Sequence, residues 1–98
     1  MNILVPVLDE NGKIQQYQKS CDEISNLLGD IQRQFNKAQR DYALDRGKTT
    51  LIINEIDLMF IKHYAKIQSG YSSVFHADSI YGLNVRKMKQ KGFIFAYD

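Results

Sequence analysis

The chain has 98 residues, 44% of them hydrophobic and 24% charged, with a formal net charge of +2. That size suits a single domain over residues 1–98 with a core of its own, and that balance excludes a disordered polyelectrolyte. The lone cysteine, Cys21, excludes an internal disulfide and is the usage expected of a reducing, cytoplasmic compartment.

Asn2 to Leu8 is predicted as a strand, because Ile3, Leu4, Val5, Val7 and Leu8 make a short apolar run. Pro6 removes one backbone donor and favours an edge or a strand end. The stretch is too short, and lacks a basic lead, to be a signal peptide. Asp9-Glu10-Asn11-Gly12 is a turn signal, since Asn and Gly tolerate positive φ. Lys13 to Gln18 is expected to return as a polar strand, giving an N-terminal β-hairpin.

Ser20-Cys21-Asp22-Glu23 has the pattern of a capping box, in which Ser accepts from the backbone N–H three residues on. Ile24, Leu28, Ile31, Phe35, Ala38 and Tyr42 then follow at steps of four and three, which is one helical stripe. Arg46 and Gly47 are the expected basic last turn and stop, so a long amphipathic helix is predicted over 21–46. It exceeds what so small a domain easily covers, and its stripe is heptad-like. A homodimer through this helix is therefore expected.

Residues 48–70 have two readings. Thr49 to Ile53 has β-branched strand character. Asn54 then caps a helix carrying Ile56, Phe60, Tyr64 and Ile67, ended by Ser69-Gly70. The rival is one helix from about Thr50 to Gln68; the strand-then-helix reading is preferred. Tyr71 to His76 reads as a short strand or ordered loop. Asp78 or Ser79 is expected to cap a short basic helix over Ile80 to Lys91, with Tyr81, Val85 and Met88 inward. Gly92 stops it, and Phe93 to Tyr97 is a final strand. The expected fold is α+β, with the hairpin and three helices packed on a small, mostly antiparallel sheet. The apolar cluster from Leu51 to Ile67 carries too many polar residues for a membrane span.

Familiar chemical motifs are weak. Arg46-Gly47-Lys48-Thr49 resembles the end of a phosphate-binding loop, but Tyr42 stands where the first glycine belongs, and the segment follows a helix. Cys21, His63 and His76 have no metal-ligand spacing, so no metal site or cofactor is expected. Cys21 with an unplaced histidine, His76 near Asp78, and Glu55 near Asp57 are pairs that any charged surface yields by chance. No convergent acid, base or nucleophile stands out, so no enzyme is expected.

The basic run Arg86, Lys87, Lys89 and Lys91 is the strongest functional candidate, because no acid lies between Leu83 and Gly92. Arg33, Lys37 and Arg40 make a second basic stripe, interleaved with Asp30, Asp41 and Asp45. Both are candidates for contact with an acidic partner or phosphate. The expectation is a small non-catalytic binding protein that docks on a larger host protein or nucleoprotein complex. Size and an Ile-, Lys- and Asn-rich composition suggest a phage or mobile element. An inhibitor of host defence, of the anti-CRISPR kind, is the most concrete form of that expectation. The alternative is a nucleic-acid binder using Arg86 to Lys91.

Overall fold

Two helices and two sheets make up the fold in a computed structural model, which describes residues 1–68, 75–76 and 79–97. Strands β1 (Asn2–Leu8) and β2 (Ile14–Ser20) pair antiparallel as the expected hairpin. Asp9 builds its turn: Oδ1 accepts from the N–H groups of Asn11 and Lys13, each at 2.9 Å. Gly12 supplies the positive φ of 77° that the turn needs. The Lys13 N–H, then the Gln15 side-chain amide, hold the Asp9 carboxyl below its ordinary value against desolvation, and the Asn11 N–H adds to the lowering. Ile3 and Val5 are buried while Leu4 and Leu8 face solvent, the period-two pattern of a half-buried strand.

Helix α1 (Cys21–Tyr42) opens on the expected cap, Ser20 Oγ accepting from the Glu23 N–H at 3.1 Å. Ile24, Leu28, Ile31 and Phe35 are buried in the chain's own core. The predicted helix to Arg46 is too long. Ala43 turns left-handed, with φ of 53°, and Leu44 packs against the core instead of continuing the helix. Arg46 therefore does not end a helix. It starts a single 3-10 turn (Arg46–Lys48), lies 4.9 Å from the Phe35 ring centroid, and donates to the Tyr81 carbonyl at 2.6 Å.

Strand β3 (Thr49–Asn54) and helix α2 (Glu55–Ile67) follow the strand-then-helix reading. Helix α2 buries Leu58, Phe60, Ile61, Tyr64 and Ala65, a wider arc than one stripe, because it packs against β1, β3 and α1. The predicted stripe ends early: Ile67 is exposed. The expected stop at Ser69-Gly70 lies outside the described residues, as do 71–74 and Asp78. No helix among the described residues is long and apolar enough to cross a membrane.

The predicted third helix is absent. In its place stand β4 (Phe75–His76), β5 (Ser79–Ile80) and β6 (Leu83–Met88). Tyr81 and Gly82 both take positive φ, 54° and 80°, and join β5 to β6 as a two-residue hairpin loop with Ile80 opposite Leu83. Tyr81, Val85 and Met88 matched a helical spacing, but the two left-handed residues rule a helix out there. β7 (Phe93–Tyr97) is the expected final strand.

The larger sheet runs β4-β5-β6-β3-β7. It is mostly antiparallel, with β3 and β6 as its parallel pair. β6 and β7 are joined through residues 89–92 yet do not pair, because β3 lies between them. The connection therefore arches over the end of β3. Leu51 and Ile53 of β3 are fully buried on the inner face, with Val85, Phe93 and Phe95 packed against the same core.

Candidate functional site

Asn54 sits where β3 ends, α2 begins and the arch crosses, and one side chain serves all three. Its Oδ1 accepts from the N–H groups of Ile56 at 3.0 Å and Asp57 at 3.1 Å, capping α2. Its Nδ2 donates to the carbonyls of Lys89 at 3.2 Å and Gln90 at 3.1 Å. Its backbone N–H donates to the Gly92 carbonyl at 3.0 Å. An amide can both donate and accept at its two ends, and here both ends are used in a nearly buried site. The arch is thereby fixed relative to the first turn of α2.

That fixing matters because both elements carry cations. Lys87 lies opposite Ile53 in the sheet register and so rises from the inner face. Lys89 follows on the arch. Lys62, His63 and Lys66 lie on the exposed side of α2. These five surround an open cleft of about 500 Å³, floored by Val7, Leu58 and Met59. Glu55 is the carboxylate at its edge and pairs with Lys89 at 3.2 Å. Lys89 is highly exposed, so that pair adds little to stability. Among the described residues, no carboxylate pairs with Lys62, Lys66 or Lys87.

A second hollow opens on the other side of the arch, lined in part by Tyr17, Lys19, Phe60, Lys89 and Lys91. Its charge is partly cancelled, because Lys19 pairs with Asp57 at 3.7 Å and also lies 5.9 Å from the Phe60 ring centroid.

The predicted basic run thus splits three ways. All four residues are exposed, as expected. On a strand, however, neighbours alternate. Arg86 lies opposite Ile52 on the outer face of the sheet, away from Lys87. Lys91 belongs to the second hollow. Arg33, Lys37 and Arg40 line a separate hollow on α1, where Arg33 pairs with Asp30. Lys62, His63 and Lys66 were missed in the sequence, although their spacing on a predicted helix already put them on one side. In the sequence Lys62 and Lys66 read as interruptions of an apolar run, and His63 as a histidine without metal-ligand spacing.

The phosphate-loop likeness dissolves in the structure: the Gly47 N–H, which would face a phosphate, donates to Asp45 Oδ1 at 2.8 Å. Cys21 is half-buried at the start of α1, and among the described residues no three His, Cys, Asp or Glu side chains gather as metal ligands. No family model, no curated protein and no solved structure matches this chain.

Proposed function

We propose that this chain is a small non-catalytic binding protein that docks on a larger partner through the lysine cleft, and that the surface it takes is an acidic protein surface. The observation carrying this is the convergence of Lys62 and Lys66 from α2, Lys87 from β6 and Lys89 from the arch around an apolar floor. Like charges held together repel, and an anionic partner relieves that repulsion. The floor of Val7, Leu58 and Met59 offers an apolar side chain a place to bury but gives a nucleobase no aromatic platform. Inhibition of a host-defence complex is one form this docking takes; its support is size and composition.

Nucleic-acid binding is the second reading. It is favoured by the exposed Tyr17 ring beside Lys19 and Lys91 in the second hollow, an aromatic-and-cation arrangement suited to single strands.

Fluorescence anisotropy with two labelled probes separates the readings: a peptide of glutamate and leucine residues, and a single-stranded DNA. The acidic-surface reading expects the K62E/K87E variant to lose at least tenfold in peptide affinity. It also expects DNA binding to be weak and insensitive to Tyr17→Ala. DNA binding that is tight, falls steeply with salt and weakens in Y17A supports the second reading. A K62E/K87E variant that binds both probes like wild type removes the cleft from either.

A further inference from the structure

β7 is an edge strand of unusual composition. Its five residues, Phe93, Ile94, Phe95, Ala96 and Tyr97, contain no charge and no proline. Among the described residues its only strand neighbour is β3. Natural edges are normally blunted by Lys, Pro or a bulge, because their unpaired backbone groups are a template for another strand.

The register tells which groups face outward. Asn54 lies opposite Gly92, one step beyond Ile53 opposite Phe93, and its N–H donates to the Gly92 carbonyl. In an antiparallel ladder, directly bonded pairs alternate with unbonded ones. Ile52 with Ile94 and Thr50 with Ala96 are therefore bonded pairs. The N–H and C=O groups of Phe93, Phe95 and Tyr97 point away from β3, along the edge that pairs with no other strand among the described residues.

We infer that a second copy of this chain pairs with that edge, antiparallel, about a dyad through Phe95. This one register places Phe95 opposite Phe95 of the second copy and Phe93 opposite Tyr97. All three are then bonded pairs, and every outward backbone group of the strand finds a partner. Side chains match equally well. Ile94, which is 56% exposed, comes to lie opposite Ala96 on the outer face. The half-buried rings of Phe93 and Phe95, 5.8 Å apart, meet their counterparts on the inner face. No charge opposes its like. The expected pairing through helix 21–46 relies on Ile24, Leu28, Ile31 and Phe35, which already lie in the monomer's core. An antiparallel edge pairing has its dyad perpendicular to the sheet, so both lysine clefts face the same side. The two β6 strands lie five strand spacings apart, about 24 Å at ~4.8 Å each.

Sedimentation equilibrium on the full chain tests the pairing and its register together. Wild type is expected to show a reversible monomer–dimer equilibrium in the micromolar range. The I94E/A96E variant sets carboxylates against each other at both outer positions and is expected to dissociate at least tenfold more readily. The I94E/A96K variant sets opposite charges there, with the same surface polarity, and is expected to regain the dimer. Circular dichroism checks that both variants fold. A wild type that stays monomeric to high micromolar concentration overturns the inference. So does growth beyond a dimer, a dimer that survives I94E/A96E, or a folded I94E/A96K that stays as dissociated as I94E/A96E.

Discussion

The two helices are of different kinds. α1 buries one narrow stripe and turns Arg33, Lys37 and Arg40 to solvent along an exposed face, where each acts alone or beside its own acid. α2 packs against the hairpin, the large sheet and α1, and leaves a short stretch at Lys62, His63, Lys66 and Ile67 for solvent. Walls on either side, β1 with Leu8 and the arch with Lys89, turn that stretch into one side of a cleft. A basic stripe on a free helix face is a solvated surface; the same residues confined by neighbours become a site.

Phe35→Ala is the most severe way to break this contrast. Phe35 is fully buried, 5.6 Å from the Phe95 ring and under Arg46. Its truncation is expected to cost about 3–5 kcal/mol, read as a lower denaturation midpoint. If α1 is scaffold alone, the fraction that stays folded retains wild-type affinity for the acidic peptide.

Asn54→Ala comes next, at about 2 kcal/mol for a lost cap and lost buried hydrogen bonds. It also frees the arch, so peptide affinity falls as well. Asn54→Asp sharpens the point, because a carboxylate still caps α2 but faces the carbonyls of Lys89 and Gln90 with no donor. Its amide protection is expected to persist in the first turn of α2 and to drop in residues 89–92. Unchanged protection in residues 89–92 would mean that the Asn54 side chain does not hold the arch.

Charge reversal on the two helices gives the direct comparison. Lys62→Glu is expected to weaken peptide binding about tenfold, equal to ~1.4 kcal/mol, and Lys37→Glu to leave it within twofold, both with unchanged stability. Equal losses would show that net charge, and not the cleft, governs binding.

The smallest effect lies in the hairpin wall. The Asp9 carboxyl is held below its ordinary 3.8 by N–H donors. Its contribution to stability is therefore complete above that value and disappears as pH falls through the lower, folded value. The amides of Asn11 and Lys13 are expected to shift in NMR spectra over that acid range, and Asp9→Asn to abolish the transition.

Elements specified by local chemistry were legible in the sequence. Ser20, Asp9 with Gly12, and Asn54 each name their own turn or cap, and the side-chain oxygen of Ser20, Asp9 and Asn54 accepts the backbone N–H expected of it. The segment 79–92 was not legible. Its apolar residues satisfy a helical period by coincidence, and the deciding fact is the left-handed Tyr81, a conformation that a tyrosine side chain does not announce. The end of α1 was misplaced for a similar reason: Ala43 is a good helix former made to turn left-handed where Leu44 packs on the core. The site was half legible. Exposure of the lysines followed from sequence, but their grouping depends on a β3–β6 pairing between segments thirty or more residues apart.

The arch over β3 has a consequence for the order in which the chain folds. Residues 83–97 consist of two strand-forming segments joined by a short link ending in Gly92. Left alone, such a stretch closes on itself as a simple hairpin within microseconds. The native sheet requires the opposite: the segments must stand apart by about two strand spacings, ~10 Å, while β3 enters between them. Contacts that are close in sequence therefore compete with the ones that make the fold, and the productive route is the non-local and slower one. The hydrogen bonds from Asn54 to Lys89, Gln90 and Gly92 form only after β3 is seated. They join the arch to the end of β3, so withdrawing the strand breaks all three.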